Sequence, residues 1–301
     1  MSFVQDRRIL YFFEAVRLGS VRAAADSLNV APSAVSRHIT QLEQELTTPL
    51  MERHRRGVKP TEAGEKVLEY YRQRLAQQEV LWDSLRSLRG LQSGSVTLSV
   101  GEGFVDALSA TLTKFSNLYP QIELHVNVCG SNELIRQVVE DESHIGLVFN
   151  PAADPKIRAH VRKNQPLQII VAPDHPLTSN KAPISIKGLD RYRLALPGPS
   201  FGIRQILALA EIKIGTTLVP TLTCNNIAML RRIALEGGVT LLPAFVVENE
   251  LNAGLLVALP LEQDVFNSPE AQLITRLGRQ LSVGGTRLVA MLVQEMVAFK
   301  D

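Results

Sequence analysis

In residues 9–46, apolar side chains recur at spacings of three and four in three short runs, with breaks of only a few residues between them. Ile9, Phe12, Phe13 and Val16 make the first; Gly19 ends it and Ser20 caps the next. The second, over 22–28, offers Ala23, Ala24 and Ala25, side chains small enough for another helix backbone to come close. After a break at 29–32, a third helix is expected to about Leu46, with Val35, Ile39, Leu42 and Leu46 facing inward. Runs of this length and spacing restrict the segment to a tight helical unit.

The opposite face of the third helix carries Ser33, Ser36, Arg37 and Thr40 near its N-terminus. Short hydroxyls and a guanidinium on a helix of that size reach base edges in a major groove, where Arg donates two bonds to guanine. The plain alternative is a solvated helix face. The adjoining segment favours recognition: residues 50–59 read as a two-stranded wing turning at Gly57, with Arg53, His54, Arg55, Arg56 and Lys59 in a run that holds no acid. Residues 1–60 carry nine basic residues against six acidic ones, whereas the whole 301-residue chain is only +2. A helix aimed at bases beside a cationic hairpin aimed at phosphates divides the labour as DNA binding requires.

These residues resemble the LysR-type transcriptional regulators. Gly19-Ser20, Ala24-Ala25-Asp26-Ser27-Leu28, Ser33-Ala34-Val35-Ser36-Arg37-His38-Ile39, Leu42-Glu43, Pro49-Leu50, Arg53 and Thr61-Glu62-Ala63-Gly64 stand where that family's winged helix-turn-helix places them. Pro32 occupies a position where the family often has a base-reading Gln, and Thr47 and Met51 replace a frequent Gly and Phe. The resemblance implies double-stranded DNA as a partner, a homodimer or homotetramer, and RNA polymerase as a further contact. The expected DNA-binding set is Pro32, Ser33, Ser36, Arg37, Thr40, Arg53, Arg55, Arg56 and Lys59.

Thr61 can cap a long helix, expected to reach about residue 88, with Glu62 in its first turn near the positive dipole end. Leu68, Leu75 and Trp82 recur every seven residues, with Tyr71, Gln78 and Leu85 at the alternate positions. That seam suits pairing with a second helix, and the alternative is packing on its own domain. The resemblance favours an antiparallel dimer. Residues 89–95, rich in Gly and Ser, read as a hinge.

Beyond it strands and helices alternate: strand 96–100, helix 104–118, strand 121–128, helix 131–141 and strand 144–149. A second unit comes next, with strands at 167–171, 193–196, 216–219 and 239–242, and helices from Ser200 and Asn225. That order argues for parallel sheets covered by helices, with ligands bound outside the carboxyl ends of the strands. The candidate effector set at those ends is Gly101, Glu102, Gly103, Phe104, Ser131, Asn132, Ser200, Phe201, Arg204, Asn225 and Asn226. By resemblance this is the family's effector domain, a type 2 periplasmic-binding-protein fold, including the run Gly237-Gly238-Val239-Thr240-Leu241-Leu242-Pro243. The fold class is then α plus α/β. It comprises a winged helix-turn-helix (1–60), a linker helix and hinge (61–94) and a two-lobed effector domain (95–301). Lobe I takes about 95–164 and 269–301, and lobe II about 165–268. Glu102 stands where the family frequently has a Ser or Thr that binds a carboxylate. An acid there repels a simple anion unless Arg204 compensates, so the effector is expected to carry an amine or other donor, or to be zwitterionic.

Other chemistries fit less well. Gly198-Pro199-Ser200-Phe201-Gly202 matches a nucleophile elbow, but the chain has no histidine after His175 to serve as base. The six histidines, at 38, 54, 125, 144, 160 and 175, lack metal-ligand spacing, and no phosphate-binding glycine loop occurs, so neither metal nor cofactor is expected. Cys129 and Cys224 form no CxxC motif, which fits a reducing, cytoplasmic setting, and no apolar run is long enough for a membrane span. The alternatives kept are a ligand-binding module whose N-terminal helices only associate with protein, and a Ser200 hydrolase.

Overall fold

A computed structural model describes residues 6–54, 57–88, 93–180, 182–199 and 201–300. The chain forms two compact units, Met1–Glu79 and Val80–Asp301, which divide within one long helix.

The first unit holds α1 (Asp6–Arg17), α2 (Val21–Ser27), α3 (Pro32–Glu45), β1 (Met51–His54), β2 (Gly57–Pro60) and the start of α4 (Glu62–Leu88). Ser20 Oγ caps α2 by accepting from the N–H groups of Arg22 and Ala23. Thr61 Oγ1 caps α4 by accepting from Gly64 N at 3.0 Å. Phe12, Ala24, Ala25, Val35, Ile39 and Leu42 are fully buried in one core. β1 and β2 pair antiparallel with His54 opposite Gly57. Gly57 therefore opens β2 as a paired residue instead of forming the turn. A Cβ on Gly57 would lie 2.4 Å from Gly19 O, and its φ of +126° is a second demand for glycine.

The dimer seam expected along α4 divides in two. Leu68 and Tyr71 belong to the head's own core, Tyr71 with its ring 5.2 Å from that of Phe13, so neither is available to a partner. Past that point the stripe is bare: Leu75 is 41%, Trp82 55% and Leu85 43% exposed. The helix outruns the head that covers its first turns.

The second unit contains β3 (Gly94–Val100), α5 (Val105–Leu118), β4 (Ile122–Val128), α6 (Ser131–Val139), β5 (Ile145–Phe149), β6 (Ile157–Asn164), β7 (Leu167–Val171), β8 (Leu194–Pro197), α7 (Gly202–Ile214), β9 (Leu222–Cys224), α8 (Ile227–Leu235), β10 (Val239–Pro243), α9 (Glu248–Asn252), β11 (Val257–Leu259), β12 (Glu270–Arg276) and α10 (Val283–Glu295). Two five-stranded sheets result, in the orders β4-β3-β5-β12-β6 and β11-β7-β10-β8-β9. Both are mixed, not parallel as expected: β12 runs antiparallel to β5 and β6, and β7 antiparallel to β10 and β11. The reversal arises where the chain passes between sheets at residues 165–166 and returns before β12. The two passes are tied together by Gln165 N donating to Pro269 O at 2.7 Å.

The strand expected at 216–219 does not form. Thr216 N–H bonds Glu211 O, and Leu218 N–H bonds the Glu211 carboxylate at 2.9 Å, so the end of α7 takes the donors a ladder would need. The edge strand moves to residues 222–224.

Thr47 has φ +53°, where a β-branched residue is strained and a glycine is not. Gly64 is the opposite case, since a Cβ there would lie 2.0 Å from Leu50 O. Urea unfolding should therefore show Thr47→Gly stabilising by about 1 kcal/mol and Gly64→Ala destabilising by about 2 kcal/mol or more. In the second unit, mostly buried His144 accepts the Thr97 N–H on Nδ1 at 3.3 Å. Burial, with Arg279 nearby, pushes its pKa down to about 4. The unfolded chain binds this proton near its ordinary pKa of 6.5, so the contribution is complete above that value and is lost as pH falls towards 4. Acid melts should show a loss approaching about 3 kcal/mol across that window, and His144→Asn, which keeps an acceptor, should flatten it.

Candidate functional site

α3 is held at both ends. Pro32 occupies its first turn, and the Glu43 carboxylate accepts from Leu50 N at 2.8 Å and Met51 N at 3.4 Å, joining the helix to the start of the wing. Arg8 binds Glu45 at 2.7 Å from α1. With the Val35–Ile39–Leu42 side buried, Pro32, Ser33, Arg37 and Thr40 are exposed and Ser36 is half-buried on the other face. Lys59 is exposed on β2 opposite Glu52, which also takes His54 Nε2 at 3.0 Å. Arg55, Arg56 and the side chain of Arg53 lie outside the described residues.

The second unit has a cleft of about 430 Å³ where β3, β5 and β10 end and α6, α7 and α8 begin. Six of the expected residues line it: Gly101, Glu102, Gly103, Phe104, Ser131 and Phe201. Cys129, Phe149, Ile203, Ile227, Phe245 and Val246 complete its apolar wall, with ring centroids 5.0 Å apart for Phe104–Phe245 and 6.3 Å for Phe149–Phe245. Burial raises the Cys129 pKa, so the thiol is neutral. Phe149 follows from the carboxyl-end rule applied to β5, whereas Phe245 and Val246 sit in a 3-10 turn after β10 that no sequence signal marks.

Four expected residues do not line the cleft, and Ser200 lies outside the described residues. Asn132 and Asn225 are exposed, and Asn226 is a helix cap whose Oδ1 accepts Met229 N at 2.7 Å. Arg204 cannot offset Glu102, because its guanidinium binds Glu211 at 2.9 Å while Glu211 also holds Leu218 N. Among the described residues, Glu102 has no side-chain hydrogen bond or ion pair. A neighbouring recess of about 340 Å³ shares Glu102, Gly103, Ile227 and Val246 with the cleft and adds Asp106 and Arg231. There Arg231 of α8 pairs with Asp106 of α5, bridging helices of the two sheets, and lies 3.8 Å from Glu250.

Residues 7–65 match the model of the bacterial regulatory helix-turn-helix protein, lysR family, and residues 89–297 that of the LysR substrate binding domain. The chain is 28% identical to the RuBisCO operon transcriptional regulator of Allochromatium vinosum over 283 residues, 91% of each protein. In structure it is similar to a full-length OxyR variant from Pseudomonas aeruginosa (TM-score 0.65, 17% identity, 99% of this chain and 96% of that one). It also resembles full-length CbnR complexed with its target DNA (TM-score 0.51, 19% identity, 98% of this chain and 100% of that one). With a helix-turn-helix match at one end and a substrate-binding match over most of the remainder, the chain belongs to the LysR family of DNA-binding transcriptional regulators.

Proposed function

We propose that α3 reads base edges through Ser33, Ser36 and Arg37, with Pro32 and Thr40 beside them, while Arg53, Arg55, Arg56 and Lys59 grip phosphates. Residues 1–60 are the DNA-binding domain, 61–94 the linker, and 95–301 the effector domain, with a small molecule bound in the 430 Å³ cleft. The observation that carries this reading is the face selection on α3: three fully buried apolar residues leave the short polar side chains and Arg37 pointing outward beside a basic hairpin. CbnR, which shares the fold, is seen on its target DNA, and that supports the same docking here.

The effector acts by linkage. A ligand that prefers one arrangement of the two sheets shifts the population toward it, and DNA affinity and ligand affinity then change reciprocally. No catalytic step enters this scheme, since Ser200 has no histidine after it in the chain. No helix among the described residues is long and apolar enough to cross a membrane. The protein works as a homo-oligomer through the bare part of α4.

Fluorescence anisotropy on specific and random duplexes separates the two sets of DNA contacts. Arg55→Ala or Arg56→Ala should weaken both duplexes alike and reduce the salt slope by about one per lost phosphate contact. Arg37→Ala should cost about 1–3 kcal/mol on the specific duplex only. Equal losses from both sets on random DNA would contradict the assignment. In sedimentation, the Leu75→Glu and Trp82→Glu pair should yield folded monomers, because both side chains are exposed in the single chain. Leu68→Glu should instead unfold the head by burying a charge in its core. Dimers that persist in the double variant would place the interface elsewhere.

A further inference from the structure

We propose that the cleft takes a small molecule bearing a protonated amine on an apolar body about one ring in size, its ammonium on Glu102 and its body among Phe104, Phe149, Phe201 and Phe245. This rests on reading the cleft as the effector site. Glu102 is the one formally charged side chain among the described lining residues. It is half-buried and makes no hydrogen bond or ion pair within the described chain. A carboxylate drawn partly out of water with nothing to accept from is best satisfied by a donor that arrives with the ligand.

The surrounding charges add to this. Both nearby guanidiniums are engaged, Arg204 with Glu211 and Arg231 with Asp106 and Glu250. At the adjoining recess Glu102 and Asp106 share the wall with the single cation Arg231, which Glu250 also approaches at 3.8 Å, so the acids around that guanidinium outnumber it. The phenylalanine rings offer the apolar wall a ring-sized body needs.

The helix ends pull the other way. α6 and α7 begin at the cleft with Gly130 and Phe201 as N-caps, neither of which supplies a side-chain hydrogen bond. Their N–H groups favour an acceptor. They set the second end of the ligand, which is a carbonyl, hydroxyl or carboxylate. A molecule with only an anion gains at those helix ends but offers no donor to Glu102, which it leaves unpartnered beside a second negative group.

The test uses the full-length protein and three probes of one shape: phenethylamine, L-phenylalanine and 3-phenylpropionate, titrated by calorimetry near pH 7. Both amines should bind and raise the melting temperature, and phenylpropionate should not. Glu102→Gln should weaken the amines at least tenfold without moving the ligand-free melting temperature, and Glu102→Asp should keep part of the affinity. Phenylpropionate binding as tightly as the amines, an unchanged amine affinity in Glu102→Gln, or no binding by either amine would overturn the proposal. Ile227→Trp, which fills the cleft, separates the two levels. Phenylpropionate binding that it abolishes would end the amine assignment and leave the cleft as a ligand site. Amine binding that survives it would overturn both.

Discussion

The Val35–Ile39–Leu42 stripe of α3 lies fully buried in the core that also holds Phe12, Ala24 and Ala25. That burial determines everything α3 can do. A helix with one apolar stripe has a single way to satisfy it, so the same step that folds the head selects which polar residues face outward. Glu43 then uses its carboxylate to hold the wing's first strand, which fixes helix and hairpin as one surface. Without the alanines of α2, the close approach that seats α3 would be lost.

The larger unit rests on a comparable constraint. Its chain leaves one sheet and returns to it, and the two passes are hydrogen-bonded side by side through Gln165 and Pro269. Strand ends from both sheets are thereby brought around one cleft, and the arginines that would neutralise it are committed elsewhere. Arg204 serves the C-terminal turn of α7, and Arg231 joins α5 to α8. Glu102 is left as the one formally charged side chain among the described residues that line the cleft.

Much of the fold is legible because helical stripes and strand-end caps are local signals. The caps at Ser20 and Thr61 and the inward stripe of α3 follow from spacing alone. β6 is absent from the sequence reading although its pattern is legible, since Ile157, Ala159 and Val161 alternate with the exposed Arg158, His160 and Arg162 in the period of two that marks a half-buried strand. The strand expected at 216–219 is displaced because the Glu211 carboxylate, seven residues back in the chain, takes the backbone donor of Leu218. The heptad on α4 is real, yet its first members are claimed by Phe13 and the head core, which no repeat count reveals.

By itself the sequence determined the helical head, its basic wing, the long helix and the acid at position 102, because each is a matter of residue type and near spacing. Only the tertiary structure decided that Leu68 and Tyr71 are core, that Arg204 is tied to Glu211, and that Phe149 and Phe245 wall the same cleft as Glu102. Those outcomes depend on which distant segments come into contact, and contact across the fold is set by packing and charge pairing that the local pattern does not encode.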